Sequence, residues 1–364
     1  MIRRIVGALS GVALLSLAAN LPAAAQPAGP AAPAAPAAAA PRPLFAPVKP
    51  TGPGAPVQHI KVHGASLVGN LEGDSVDRDV NVVLPPSYAR SKTRRYPVIY
   101  FLHGFAITGQ YVSDFMHVPE AALASSKKGA EFIIVVPDTD TKQGGSMYSS
   151  SPTTGDFEAF VAKDLVSYID AHYRTLARRS SRGLAGHSMG GYGVWKIGMK
   201  YPQVWSSIYA MSACCVSPRT ESVEAAKKIA ALSLDEAAKA DFGTRAGVAS
   251  AVAWSPAPDK PPFYADFAYK DGAIDPLVLA KWAANSPLVM VAQYAAGLKT
   301  MTAIASDVGD KDGLLKDDTA IHEELGRFGV AHSFEVYDGN HVSRIAERFD
   351  SKVLPFFAQH LAMK

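Results

Sequence analysis

The sequence is poor in cysteine. Its 364 residues contain only two, and these are neighbours, Cys214 and Cys215. Adjacent cysteines cannot join distant segments of a chain, so a fold held together by disulfides is excluded. The pair itself has two interpretations, either as free thiols packed as small core residues or as a strained vicinal disulfide.

An excess of charge of one sign is also lacking. The formal net charge is +3 at pH 7, and two of the positive charges, Arg3 and Arg4, lie in a segment that we expect to be removed, which leaves about +1. Nothing in this balance favours binding to nucleic acid or to an anionic membrane. The sequence also has no residues spaced as a metal site, no phosphate-binding glycine loop and no dinucleotide fingerprint, so we expect no metal and no cofactor.

A hydrophobic run long enough to span a bilayer is missing as well. The apolar run near the N-terminus, from Ile5 to Leu17, is too short for a transmembrane helix. It follows Arg3-Arg4 and precedes Ala23-Ala24-Ala25, an order typical of a secretory signal peptide. We therefore predict a signal peptide over residues 1–25, no membrane span in the mature chain, and a periplasmic or secreted protein.

Residues 26–56 are almost wholly alanine, proline and glycine. This composition offers little to bury, and it predicts an extended, disordered linker. Folded sequence is expected from Val57 onward.

Beyond the linker, strand and helix patterns alternate. The runs that begin at Pro97 and Phe132 are apolar on both faces, as central strands of a parallel sheet must be. Residues 157–173 show helical spacing after a capping candidate, Asp156. Hydrophobic residues make up 48% of the chain, enough for one large core. We predict one α/β domain over residues 57–364, in which a mostly parallel sheet has helices on both faces.

Residues 217–298 depart from this alternation. They contain no clear central strand, but alanine-rich helical pieces at 221–232 and 235–241, followed by a proline-broken region rich in aromatic residues. Such an insertion could cover the edge of an active site as a lid or wall. Its aromatic residues could equally form a satellite core. These residues are Trp254, Phe263, Tyr264, Phe267, Tyr269 and Trp282.

The strongest motif is Gly186-His-Ser-Met-Gly190. It has the G-x-S-x-G spacing that places a serine on a sharp turn between a strand and a helix. A strand pattern precedes it and a helix pattern, ended by Pro202, follows it. We therefore predict Ser188 as an exposed nucleophile.

A serine hydroxyl needs a histidine base, and the histidine needs a carboxylate to orient it. In folds with this motif the order along the chain is serine, acid, histidine. The best histidine is His341. It lies in the loop after the last predicted strand, residues 333–337, and this loop can carry it to the strand ends where Ser188 lies. His332, just ahead of that strand, is the main rival.

Three aspartates, Asp307, Asp310 and Asp312, follow the strand predicted over residues 299–306, the last but one of the chain. We favour Asp312 as the acid, with Asp310 as the second choice, and interpret Asp307 as a turn residue that closes the strand. A calcium loop is the competing interpretation of this cluster. It fails because Val308 would occupy the first ligand position and Thr319 the position of the bidentate glutamate.

Acyl transfer also requires N–H donors for the oxygen that becomes negatively charged. One should be the backbone N–H of Met189, directly after the nucleophile. The other should come from the loop after the first buried strand, at Phe105.

Several of these segments together resemble the "Putative esterase" family of the α/β-hydrolase superfamily. The segments are Tyr96–Gly104, Met147–Phe157, Lys163–Thr175 and Gly186–Gly193. The family includes esterase D, feruloyl and acetyl-xylan esterases and mycolyltransferases. The resemblance implies the α/β-hydrolase fold and a carboxylic-ester hydrolase, and places the acid of the family's Asp-x-Gly-x-x-Asp pattern at Asp312. The insertion departs from the compact members of the family.

From these observations we predict an exported serine esterase with a Ser188-His341-Asp312 triad, which acts through an acyl-enzyme on a small-molecule or polymer-linked ester. An acyltransferase with the same triad is the first alternative. A non-catalytic binding protein on the same fold is the second.

Overall fold

The computed structural model describes residues 49–364. The predicted signal peptide and residues 26–48 of the predicted linker lie outside the described residues. Within the described end of that linker, the Thr51 N–H donates to Glu120 Oε1 over 3.2 Å and the Ala55 N–H donates to the Pro119 carbonyl over 2.8 Å. Contacts with the folded domain therefore begin several residues before Val57.

The centre of the domain is an eight-stranded sheet. Its strands are β1 (Val57–His63), β2 (Asp77–Val83), β3 (Val98–Leu102), β4 (Ile133–Pro137), β5 (Arg182–His187), β6 (Ser207–Met211), β7 (Ala303–Gly309) and β8 (Ser333–Tyr337). They lie in the order β1-β2-β4-β3-β5-β6-β7-β8. The pairs β1/β2 and β2/β4 are antiparallel and all the other pairs are parallel. The predicted α/β architecture is confirmed.

Helices cover both faces of the sheet. They are α1 (Gly109–Phe115), α2 (Val118–Lys127), α3 (157–172, with a wide turn at Phe160–Leu165), α4 (Met189–Lys200), α5 (Val223–Ala230), α6 (Leu234–Lys239), α7 (Phe242–Trp254), α8 (Pro276–Ala283), α9 (Pro287–Leu298), α10 (Leu315–Arg327) and α11 (345–360, with a wide turn at Phe349–Val353). One face packs against α3, α4 and α10, with α9 packed on α4 and α10, and the other face packs against α1, α2 and α11. Every residue of β3 and β4 is buried as a result, which explains why these strands are apolar on both faces. Within residues 49–364, no helix has the length and apolar character needed to cross a bilayer.

The insertion after β6 is helical and contributes no strand to the central sheet. Its first three helices begin at side-chain caps, because Ser222, Ser233 and Asp241 each accept a backbone N–H from the first turn. The structure adds the long helix α7, which the sequence patterns did not single out. This helix is 13 residues long and carries the insertion toward the end of β5.

A buried ion pair joins β7 to α11. Arg348 Nε donates to Asp307 Oδ2 over 2.7 Å, and the two side chains are 2% and 0% exposed. The Tyr209 hydroxyl donates to the same oxygen over 2.8 Å. Asp307 thus lies inside a strand, and the interpretation of this residue as a turn that closes the strand is wrong.

We expect Arg348→Met to destabilise the protein by about 3–5 kcal/mol, because it leaves the Asp307 carboxylate buried without its cation. The measurement is urea unfolding. Lys61→Met, which breaks the exposed pair with Asp79, is the matched control and should change the unfolding free energy little. Equal effects of the two substitutions would contradict the prediction.

Candidate active site

Ser188 lies on a sharp turn between β5 and α4. Its backbone has φ 59° and ψ −117°, a conformation that residues other than glycine rarely adopt. The turn is possible because the residues two positions away on either side, Gly186 and Gly190, lack side chains. A Cβ at Gly190 would lie 1.9 Å from the Leu102 carbonyl oxygen, and one at Gly186 would lie 2.5 Å from the Gly190 oxygen. This close packing pushes Ser188 out at the carboxyl end of β5.

His341 reaches Ser188 from the loop after β8. Its Nε2 atom lies 3.0 Å from Ser188 Oγ, and its Nδ1 atom lies 2.8 Å from Asp312 Oδ2. Because a carboxylate only accepts hydrogen bonds, Nδ1 carries the proton and Nε2 is free to accept the serine proton. The three side chains thus have the mutual geometry of a nucleophile, a base and an orienting acid.

A second histidine holds the His341 loop in place. His187 Nε2 lies 2.8 Å from the His341 carbonyl oxygen, and since that oxygen only accepts, this nitrogen is the donor. Burial lowers the pKa of His187 to about 3, with the neighbouring His341 as a further cause. His187 therefore stays neutral and acts on the loop through its hydrogen bond.

Asp312 is ionised in this setting. Burial pushes its pKa upward, but hydrogen bonds from His341 and from the Leu314 N–H outweigh burial and hold the pKa below its usual value. Only 2% of the Asp312 side chain is exposed. The carboxylate is therefore oriented and shielded from solvent.

The rival residues lie elsewhere. Asp310 Oδ1 accepts the Gly339 N–H over 2.9 Å, and Asp307, within β7, pairs with the buried Arg348. His332 lies 2.7 Å from His322 and 2.8 Å from the Val330 carbonyl oxygen, the acceptor of its Nδ1–H. Of the sequence candidates, the structure brings Ser188, His341 and Asp312 together.

Phe105 and Met189 flank the serine from two sides. The loop after β3 approaches so closely that a Cβ at Gly104 would lie 3.4 Å from Ser188 Cβ. The Ala106 N–H donates to the Gly144 carbonyl over 2.7 Å and holds this loop. In the part of the chain that the structure describes, the N–H groups of Phe105 and Met189 have no hydrogen-bond partner. Both donors are therefore available to a ligand oxygen.

A cavity of about 260 Å³ opens beside Ser188. Its wall is largely apolar, and its polar groups are those of the triad, the two cysteines and Ser250. The lining residues are Phe105, Met147, Ser188, Cys214, Cys215, Phe242, Ala246, Ser250, Asp312, Leu314 and His341.

Three of the lining residues belong to α7. Phe242, Ala246 and Ser250 are spaced by four and so lie on one face of the helix. Sequence reasoning missed them, together with Met147 and Leu314. The spacing of four was a usable signal for a shared face, but nothing in the sequence showed what that face meets.

The aromatic residues that the sequence analysis named in the insertion do not line this cavity. Trp254 Nε1 donates to Ser149 Oγ over 3.1 Å, and Trp282 Nε1 donates to Ser255 Oγ over 2.8 Å. Phe263 and Phe267 pack edge to face with ring centres 5.3 Å apart. Trp254, Phe263 and Trp282 are buried in the same core cluster as one face of the sheet. The aromatic residues therefore pack into the core, though not into a separate satellite core, while α7 forms a wall of the cavity. Among residues 49–364, no three histidine, cysteine or acidic side chains are placed to hold a metal ion.

Comparison with known proteins identifies a family for most of the chain. The family described as "Putative esterase" matches residues 75–345. Two curated relatives, Esterase MT1326 and Esterase Rv1288 of Mycobacterium tuberculosis, are 35% identical over 127 residues, which are 34% of this chain. The chain matches only 26% of the length of these relatives.

Solved structures of similar fold cover most of the chain. A ferulic acid esterase is 24% identical with a TM-score of 0.61, over 84% of this chain and 98% of that one. The Staphylococcus aureus serine hydrolase FphF is 18% identical with a TM-score of 0.58, over 84% and 99%. An S-formylglutathione hydrolase from Agrobacterium tumefaciens is 18% identical with a TM-score of 0.54, over 84% and 95%. At these identities, the similarity to solved structures establishes only the fold. The family match over residues 75–345 covers most of the chain. The chain therefore belongs to the "Putative esterase" family of α/β-hydrolases.

Proposed function

We propose that this protein is an exported serine carboxylic-ester hydrolase with Ser188, His341 and Asp312 as its catalytic triad. The observation that carries the proposal is the continuous contact from Ser188 Oγ to His341 Nε2 at 3.0 Å and from His341 Nδ1 to Asp312 Oδ2 at 2.8 Å. The cavity beside Ser188 provides space for the acyl group.

In the first step Ser188 Oγ attacks the ester carbonyl while its proton moves to His341 Nε2. The negative charge that forms on the carbonyl oxygen is met by the N–H groups of Phe105 and Met189. Asp312 stabilises the imidazolium cation. The proton then passes to the departing alcohol, which leaves an acyl group on Ser188.

In the second step water takes the place of the alcohol. His341 removes a proton from water, the hydroxide oxygen attacks the acyl carbonyl, and the same two N–H groups hold the oxygen that becomes negatively charged. The proton returns to Ser188 Oγ as the carboxylic acid departs. The enzyme is regenerated without a metal or cofactor.

A proline at position 105 tests the donor from the β3 loop. Phe105→Pro removes the backbone N–H, so we expect kcat to fall by about 10²–10³-fold. Phe105→Ala is the matched control, because it removes the ring and keeps the N–H. An unimpaired kcat in a folded Phe105→Pro variant would exclude Phe105 as a donor.

The cavity supports an apolar acyl group of limited size. Its volume of about 260 Å³ lies just below the roughly 300–1,000 Å³ of pockets for drug-sized ligands. The α7 face extends into it from Phe242, which is 56% exposed, to the fully buried Ser250. A short acyl chain or a single aromatic ring suits this space better than a long lipid chain.

Ala246, midway along this α7 face, should set the acyl length that is accepted. Ala246→Phe fills part of the cavity, so we expect kcat/KM for a hexanoyl ester to fall by about 10–100-fold while that for an acetyl ester changes little. The measurement is kcat/KM for nitrophenyl esters of increasing acyl length. Leu277→Phe on exposed α8 is the control for adding an aromatic ring elsewhere. A parallel fall for all esters would contradict the assignment of the α7 face to the acyl group.

The first experiment is hydrolysis of nitrophenyl esters from acetyl to palmitoyl, with a feruloyl ester included because ferulic acid esterases are among the structural neighbours. The mature domain is compared with Ser188→Ala. Turnover that depends on Ser188 supports the esterase. If a serine-directed phosphonate labels Ser188 but no ester is hydrolysed, acyl transfer to an alcohol acceptor becomes the better proposal. If the phosphonate does not label Ser188, a binding protein becomes the better proposal.

Export is part of the same proposal. It depends on the Arg3-Arg4, apolar and Ala23-Ala24-Ala25 order of the N-terminus. Fractionation of cells that express the full chain, with N-terminal sequencing of the product, tests it. A mature N-terminus at Gln26 in the periplasm or medium is the expected result.

A further inference from the structure

The catalytic cavity contains two further nucleophiles, a pair of cysteines, that the proposed reaction does not use. Cys214 and Cys215 follow β6 and line the same cavity as Ser188 and His341. They are the only cysteines of the chain, so all thiol chemistry of this protein belongs to this cavity.

The two thiols are in direct contact with each other. Their Sγ atoms lie 2.8 Å apart and both residues are free cysteines in the structure. The free-thiol interpretation of the pair therefore describes this state. Cys215 has φ 59°, so the chain turns in the left-handed region at this point.

The environment activates one thiol more than the other. The hydrogen bond between the two thiols lowers the pKa of Cys215, and the Arg219 guanidinium acts in the same direction. The same hydrogen bond raises the pKa of Cys214, as does burial. A thiolate is the reactive form of cysteine, so Cys215, whose pKa is the lower of the two, is the better nucleophile.

The pair is also coupled to the catalytic serine through the backbone. The Cys214 N–H donates to the Ser188 carbonyl over 3.1 Å, while the Ser188 N–H donates to the Met211 carbonyl over 3.0 Å. A change in the backbone at Cys214 therefore acts directly on the turn that holds the nucleophile.

We propose that Cys214 and Cys215 form a thiol modification site within the catalytic cavity, which reacts with small disulfides and closes to a vicinal disulfide that slows ester hydrolysis. The Cys215 thiolate attacks one sulfur of the small disulfide and releases one thiolate. Cys214 then gives up its proton to solvent, attacks Cys215 Sγ and releases the second thiolate. The two protein thiols are oxidised and the small disulfide is reduced to two thiols.

This disulfide should be reversible rather than structural. Consecutive Cα atoms are about 3.8 Å apart, whereas disulfides usually join Cα atoms about 4.4–6.8 Å apart. The ring that a disulfide between consecutive cysteines closes is therefore strained, and a strained disulfide is more easily reduced. Ring closure also changes the Cys214 backbone and the cavity wall, so both the Ser188 turn and acyl binding are affected.

The test uses the aromatic disulfide dithiobis(nitrobenzoate) on the folded protein. We expect two thionitrobenzoate ions released per chain, a product mass lower by two hydrogens, and a loss of nitrophenyl acetate hydrolysis of about tenfold or more that dithiothreitol reverses. Prior reaction of Ser188 with a phosphonate, which fills the same cavity, should slow the release.

Single variants separate the two roles. Cys214→Ser should release one ion and keep a bound thionitrobenzoate, because no second thiol can displace it. Cys215→Ser should react more slowly than Cys214→Ser. Activities are compared with each variant's own untreated activity, and thermal unfolding checks the fold.

Three results would overturn the proposal. The first is that the folded protein releases no thionitrobenzoate. The second is that both cysteines retain a thionitrobenzoate adduct and form no vicinal disulfide. The third is that ester hydrolysis is undiminished after the vicinal disulfide has formed. The inference rests on the proposed function only for its activity readout. Ion release and mass remain measurable if no ester is hydrolysed, so failure of either proposal can be recognised separately.

Discussion

Ser188→Ala is expected to lower kcat for nitrophenyl esters by about a millionfold, the largest effect of any substitution considered. The reason is geometric, because Ser188 Oγ is the only atom of the triad positioned to attack, and His341 Nε2 lies 3.0 Å from it as its base. The measurement is kcat under saturating substrate, together with phosphonate labelling, which the variant should lose completely.

The matched control is Ser180→Ala, which removes an exposed hydroxyl outside the cavity. Its activity should equal that of the unaltered protein. The kcat of His341→Ala should be nearly as low as that of Ser188→Ala. The double variant should have no lower kcat than Ser188→Ala, because the two side chains act as a unit. Retention of most of the activity by either single variant would rule out the triad mechanism.

The second large effect is expected for Asp312→Asn, a fall in kcat of about 10⁴-fold with an intact fold. An asparagine can present its N–H₂ to His341 Nδ1, which favours the tautomer with the proton on Nε2. That tautomer cannot accept the proton of Ser188. The side chain is almost completely buried, so water cannot replace the lost carboxylate.

Asp310→Asn is the matched control, with the same chemical change two residues away in the same loop. Asp310 accepts the Gly339 N–H through Oδ1, and an asparagine retains an oxygen for that bond. Activity should therefore remain within a few-fold of the unaltered protein. If the Asp310 variant lost more activity than the Asp312 variant, the acid would be misassigned.

The comparison of these two aspartates shows where sequence reasoning reaches its limit. Three aspartates lie within six residues at the carboxyl end of β7, Asp307 inside the strand and Asp310 and Asp312 after it, and each is compatible with the required order of serine, acid and histidine. The selection depends on how two loops pack. A Cβ at Gly309 would lie 2.2 Å from the Gly339 oxygen, so the loops after β7 and β8 lie against each other. Asp310 is then held by Gly339, and Asp312 is left facing His341.

The insertion is a second example of where sequence reasoning reaches its limit. Its helical character could be predicted, because capping serines and helix-forming residues act locally. Its aromatic residues were compatible either with a pocket wall or with a packed core, and the sequence did not separate the two. They pack against one another, against Tyr192 and against serine hydroxyls. The wall of the cavity is the α7 face instead, with only one aromatic side chain, Phe242, among its three lining residues.

The sequence by itself determined the α/β alternation, the central strands and the turn at Ser188, because each depends on residues close together in the chain: apolar runs, a helix cap, and glycines that permit close packing. Only the tertiary structure decided which aspartate meets His341, which helix lines the cavity, and that Cys214 and Cys215 share it with Ser188. These relations join segments separated by tens of residues or more. Their geometry is set by the packing of loops and helices at the sheet edge, which local sequence patterns do not encode.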